Sequence, residues 1–208
     1  MSAKSKYSVS ELGQEKFTGS REKAAVIPLF VQGKKKLTSS EIGTAIHVVM
    51  EKLDFKKSAE MFEFSEDKGY EYLANLVREL EEKVILTQDE ANAIDLKRIA
   101  MFIKSDIGKR AAKADKIYKE VPFTIIKEID GIEAIIQGII DCYFEEGGEF
   151  SLVDYKSGYV SSGEDVRQSK EKYAAQIALY SEALEITKNI KVKDRYLYLF
   201  GRDTAVLI

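Results

Sequence analysis

Two hydrophobic rhythms divide this chain, and the change falls at Val121. Upstream, apolar residues recur every three or four positions. Ile42, Ile46, Val49 and Leu53 form one such stripe and predict a helix over about 41–55, with Ser39 or Ser40 as its N-cap. Further helices are predicted over roughly 67–83, 88–104 and 106–115. Downstream, "VPFTIIKEI" and "IEAIIQGIIDCYFE" are rich in β-branched and aromatic residues, and Asp130-Gly131 between them signals a hairpin turn. "EEGGE" makes a second turn and "FSLVDYK" a third strand. The helical rhythm returns over about 164–187, with Tyr173, Ile177, Tyr180 and Leu184 on one face, and "RYLYLF" and "TAVLI" close the chain as two strands. Helices, a three-stranded meander, a helix and a strand pair make an α/β or α+β layer, one sheet covered by helices.

Residues 1–38 follow neither rhythm and read as an irregular N-terminal segment ahead of a domain spanning 39–208. Within it, "YSVSELGQEKF" suggests a short helix starting at Ser8 or Ser10, "AAVIPLFVQ" is an apolar piece broken by Pro28, and "GKKKLTSSE" is an exposed loop.

Composition narrows the function classes. With 208 residues, 45% hydrophobic and 32% charged, the chain suits one soluble domain. No run approaches the roughly 18 apolar residues of a membrane span, and "MSAKSKYSVSE" lacks the apolar core of a signal peptide, so no membrane partner and a cytoplasmic location are expected. Cys142 is the only cysteine, which excludes a disulfide framework and any cysteine-built zinc or iron–sulfur site within the chain. A formal net charge of −3 argues against tight nucleic-acid binding by charge alone, but not against an enzyme that is handed its nucleic acid.

Candidate chemistry begins at Asp154 and Lys156. Alternation along a strand points both to one face and Tyr155 to the other. The pair is either a strand-end ion pair of little energetic weight or a metal ligand beside a catalytic cation. Asp141 ends the apolar run "IIQGII", and a buried carboxylate needs a partner. The meander brings Asp141 near Asp154, where two acids repel unless a cation lies between them. Hard oxygen ligands suit magnesium or manganese, whereas two acids capping strand ends at the surface need no metal. His47 is the only histidine; it is either a packing residue or a functional one, with Gly43 one turn before it to permit close approach and Glu51 one turn after.

"GTAIHVVME", "QGIIDCYFE", "LVDYKSG" and "YAAQIALYSEAL" stand in the order and spacing of the RecB-family nucleases of the PD-(D/E)xK superfamily, and the opening "YSVSEL" also looks like the start of such domains. The chain most resembles the C-terminal nuclease domain of AddA-type helicase–nuclease subunits, over about Ile42 to Phe200. The resemblance implies a restriction-endonuclease-like α/β core, a central mixed sheet flanked by helices, with a helical region on its N-terminal side. It implies His47, Asp141, Asp154 and the Tyr155 carbonyl as ligands of Mg2+, with Mn2+ as a substitute; the single cysteine leaves no iron–sulfur cluster expected. It implies Lys156 as the catalytic lysine, Gln176 and Tyr180 as the Q-x-x-x-Y pair, and Glu120, just before the first strand, as a further acid. Ile140-Asp141 replaces the proline–aspartate pair of the superfamily's name.

The expected activity is metal-dependent hydrolysis of DNA phosphodiesters in double-strand break repair and recombination. The expected partners are single-stranded DNA and a helicase, in the same native polypeptide or in an AddB-like partner. No G-x-x-x-x-G-K-S/T motif occurs, so the sequence looks like a detached nuclease domain. The alternative is a catalytically silent module that binds DNA or a partner, against which the acids and the lysine are all present. Tyr180 also fits a core position, while Gln176, one step off the stripe, suits a polar role. The six cations Lys104, Lys109, Arg110, Lys113, Lys116 and Lys119 are either a solvated face or the surface that contacts DNA.

Overall fold

Thr38, not Ser39 or Ser40, starts the first helix. Its hydroxyl accepts the Glu41 N–H while the Glu41 carboxylate accepts the Thr38 N–H, a closed capping box. The computed structural model describes residues 6–8, 37–129, 131–158, 160 and 162–208. Helix α1 (Ser39–Lys52) buries Ile46 and Val49, with Leu53 closing the stripe. Then follow α2 (Phe55–Phe64), α3 (Glu66–Glu82), α4 (Gln88–Ala93), α5 (Leu96–Lys104) and α6 (Asp106–Lys113). Helix α2 was not among the expected elements. Its sequence buries only Phe55 and Ser58, too few positions to print a stripe, and Asp54 starts it by accepting the Lys57 N–H. The helix expected over 88–104 is two, because Asp95 turns its carboxylate onto the Lys97 N–H and begins a new helix.

The strands are β1 (Lys6–Ser8), β2 (Lys116–Ile129), β3 (Ile132–Glu146), β4 (Glu149–Lys156), β5 (Val192–Leu199) and β6 (Thr204–Leu207), with α7 (Gly163–Lys188) between β4 and β5. Among the described residues they form one six-stranded sheet, and it is mixed, as expected. Ser8 is thus in a strand, not at a helix start; the other expectations for residues 9–36 lie outside the described residues. Strand β2 pairs with β3 along nearly its whole length, while β1 (parallel) and β4 (antiparallel) share the other edge of β3. Among the described residues no helix is long and apolar enough to cross a membrane.

Each sheet face has its own core. Cys142, Phe144, Val153, Tyr155, Tyr198 and Phe200 pack against the helices of α1–α6, and Tyr143, Leu152, Leu197 and Leu199 pack against Ile177, Tyr180 and Leu184 of α7. The period-two alternation carries this division along β4 and β5. On β2 and β3 it slips. Tyr118 and Val121 both join the α7 core, as do Ile140 and Tyr143, although residues three apart on a regular strand face opposite ways. The slip falls at Glu120, opposite Asp141, where the Glu120 backbone is left-handed with φ 49°.

Candidate active site

The slip coincides with an opening in the sheet. Strand β4 is laddered to β3 only from Glu149–Glu146 to Val153–Cys142, and then follows β5 onward to Lys156. In the gap, the Tyr155 N–H donates to Asp141 Oδ2 at 2.7 Å. One carboxylate oxygen thus replaces a ladder carbonyl and the other remains for the site.

Helix α1 reaches this opening through Gly43. A Cβ there would overlap Ser157 Oγ, so glycine lets the helix lie against the end of β4. One turn on, His47 Nδ1 stands 3.4 Å from Glu120 Oε1 and 3.6 Å from Asp141 Oδ1. Ligand atoms of His47, Glu120 and Asp141 all lie within 4.8 Å of one another, a set able to hold a metal ion. Burial works against protonation of His47, but the hydrogen bond to Glu120 and the charges of Asp141 and Glu120 outweigh it, raising its pKa. Burial, and then the Asp154 charge, push the Asp141 carboxyl up to about 7 against the pull of His47 and Lys156.

Asp154 is 1% exposed, the deepest acid of the site. Lys156 Nζ lies 2.7 Å from its Oδ2, and apart from this ion pair neither carboxylate oxygen has a hydrogen-bond partner among the described residues. Burial raises the Asp154 pKa and Lys156 pulls it back. Side chains 154 and 156 share a face, with Tyr155 in the opposite core, as alternation required. Buried carboxyls starved of donors are the environment that a hard cation satisfies, so the residues present fit a divalent metal.

On α7, Gln176 Nε2 donates to Tyr180 Oη at 2.8 Å. Tyr180 is a core residue whose hydroxyl lies within reach of the acids' charges. It is buried against Phe123, and its hydroxyl feels the charges of Asp154, Asp141 and Glu120, which, after burial, raise its pKa. Glu51 instead pairs with Lys52 at 2.6 Å.

The structure therefore joins His47, Asp141 and Glu120 in one cluster and sets Asp154 with Lys156 beside it. Glu120 lies within β2, not before it, because the strand starts at Lys116. Its left-handed backbone has no signature in glutamate. Lys172, which was not among the expected residues, lines the cavity beside His47 and Lys156; the spacing of Gln168, Lys172 and Gln176 by fours puts the three on one helix face.

The cationic segment 104–119 is largely engaged within the chain. Lys104 pairs with Glu66, Lys116 with Glu145, and Lys119 donates to the Leu53 carbonyl. Arg110 donates to Glu146, Ser151, Asp194 and the Tyr196 hydroxyl.

Residues 22–205 match the model of the PD-(D/E)XK nuclease superfamily. The A-subunit of the ATP-dependent helicase/nuclease of Ruminiclostridium cellulolyticum is 40% identical over 191 residues, covering 86% of this chain and 14% of that protein. The A-subunits of the Clostridium acetobutylicum and Clostridium beijerinckii enzymes are 38% and 39% identical, covering 87% and 90% of this chain and 15% and 16% of theirs. The chain thus spans about a seventh of the length of these relatives. A family match over residues 22–205, most of its length, on an α/β fold with a mixed sheet, makes this chain a member of the PD-(D/E)XK nuclease superfamily.

Proposed function

We propose that the chain is the nuclease module of an ATP-dependent helicase–nuclease and hydrolyses DNA phosphodiesters in the cytoplasm during double-strand break repair and recombination. The helicase, in the same polypeptide or in a separate partner, would deliver the single strand that is cut. The observation that carries this reading is the convergence of His47, Glu120 and Asp141 next to the buried Asp154–Lys156 pair.

His47, Asp141, Glu120 and Asp154, with the Tyr155 carbonyl, would hold Mg2+, for which Mn2+ would substitute. When bound, such an ion polarises the phosphate and acidifies water. The protein's own groups do the rest. Lys156, anchored by Asp154, presents an ammonium to the charge that develops on the phosphoryl oxygens. Glu120 and Asp141 hold the imidazole in place, and the Gln176–Tyr180 bond fixes the α7 side of the site. The acids of the cluster repel substrate phosphates until a cation occupies it, so cutting depends on metal.

The test is cleavage of end-labelled single-stranded DNA with magnesium by the wild type, Asp154→Ala and Lys156→Met. Each variant is expected to lose at least about 100-fold in rate. Equal cleavage by all three proteins would overturn the assignment.

A further inference from the structure

A cavity of about 750 Å³ opens beside the acids, between α1, the end of β4 and the first half of α7. His47 and Lys156 line it, so it is continuous with the site, and Gln168, Lys172 and Tyr173 line it from α7. Lys156 Nζ lies 4.7 Å from the centroid of the Tyr173 ring and Lys172 Nζ 5.0 Å from it. Two ammonium groups therefore share one aromatic ring. Each is attracted to the ring quadrupole. Lys156 is balanced by Asp154 at 2.7 Å, whereas no carboxylate pairs with Lys172 among the described residues, so an anion in the cavity meets an uncompensated charge there. Asp165 also lines the cavity, yet its carboxylate is committed to the Ser162 N–H at 2.9 Å. The volume suits a nucleotide-sized ligand.

We infer that this cavity binds the single-stranded nucleic acid flanking the scissile phosphate, with Lys172 neutralising a neighbouring phosphate and Tyr173 acting as a positioning residue that fixes Lys156. The assignment of a scissile phosphate rests on the nuclease reading; the binding of a strand does not. Lys172 is exposed, so its replacement removes no core packing. Tyr173 is half-buried against the α7 core, and Tyr173→Phe keeps that packing together with the ring face.

Binding and cutting separate the two ideas. Anisotropy of a fluorescent single-stranded oligonucleotide, with calcium in place of magnesium, gives affinity across a salt series. Lys172→Gln is expected to weaken binding and to flatten the log–log salt slope by about 0.7, one phosphate contact on a single strand. Lys109→Gln, at an exposed position of α6, is expected to leave the slope unchanged. With magnesium, Lys172→Gln should raise KM several-fold at constant kcat. Tyr173→Leu should lower kcat about tenfold, and Tyr173→Phe, which keeps the ring, should restore it to within about twofold.

A wild type that binds with a Lys172-dependent slope but does not cut would remove the nuclease reading and leave the strand subsite standing. A Lys172→Gln protein with the wild-type slope, or a wild type that binds no oligonucleotide, would overturn the subsite. Tyr173→Phe falling as far as Tyr173→Leu would overturn the positioning role.

Discussion

Lys156 Nζ stands 2.7 Å from Asp154 Oδ2, and that ammonium is the polar contact of a carboxylate which otherwise finds no donor among the described residues. Removing it strands a buried charge. Lys156→Met is expected to lose about 3–5 kcal/mol of stability at pH 8, the cost of breaking a buried pair from one side. The Asp154 pKa, already raised by burial, rises further without Lys156. A carboxyl whose folded pKa exceeds its unfolded value contributes stability below the unfolded pKa and loses it as pH rises through the folded one. The deficit should therefore nearly vanish at pH 4, and Lys156→Met/Asp154→Asn should recover most of it at pH 8. Urea unfolding across pH reads both.

Metal should stabilise the protein, and more so at high pH. Without metal, the Asp141 pKa of about 7 means that the folded state binds more protons than the unfolded one above about pH 4, so stability falls as pH rises toward and through 7. The raised pKa of His47 works in the same direction above its unfolded value. Metal binds the deprotonated ligands and so gains what protons lose. At about 100 times its Kd, magnesium or manganese contributes roughly 2.7 kcal/mol, a Tm rise of about 5–10 °C for a chain of this size. The rise should be smaller at pH 5 than at pH 8 and absent in Asp141→Ala. A pH-independent shift would count against ligation by these groups.

Gly43 sets the distance between His47 and the acids. In Gly43→Ala the new methyl meets Ser157 Oγ, so the Ser157 hydroxyl or α1 itself must shift at the mouth of the site. Cleavage is expected to fall about 10- to 100-fold, because small misplacements of catalytic groups are costly. Removing the hydroxyl relieves the clash, since the next neighbour, Ser157 Cβ, lies at 3.5 Å. Gly43→Ala/Ser157→Ala should regain most of the activity, a coupling that a double-mutant cycle measures.

Arg110 belongs to the framework. Arg110→Met leaves Glu146, Asp194 and the buried Ser151 without their shared donor and is expected to cost about 2 kcal/mol. It should leave the salt dependence of single-strand binding unchanged. A flattened slope in this variant would return α6 to the DNA path.

Much of this was legible in the sequence because the two periodicities are strong. The β2–β3 hairpin, β4, and the alternation that pairs Asp154 with Lys156 follow from β-branched runs and turn residues alone. His47, Asp141 and Gln176 came from recognisable motifs in order. Helix α2 was hidden because a short helix with two buried positions has no stripe, and Thr38 was passed over because the serines beside it are equally good caps. The fate of the basic segment was illegible for a different reason. Whether Arg110 meets solvent or Glu146, 36 residues on, is decided by tertiary packing.

Glu120 carries a measurable strain. A non-glycine residue at φ 49° costs about 1 kcal/mol or more, part of which glycine would return as its own backbone entropy. Glu120→Gly is expected to raise stability by about 0.5–1 kcal/mol while lowering cleavage and metal affinity. A variant that loses both stability and activity would show that the carboxylate, not the backbone, governs this position.

The reversal of facing at Glu120 and Asp141 makes the hairpin intolerant of counting errors. Every residue beyond it, out to the Gly131 turn, faces as it does because two strands lose step together. Deleting one residue from each strand there would turn that arm over. Phe123, Ile125 and Ile136 would go to water, and Ile126, Ile135 and Ile139, now exposed, would be driven against α7. The two acids thus sit at a position that the chain can neither shorten nor regularise without turning its own sheet inside out.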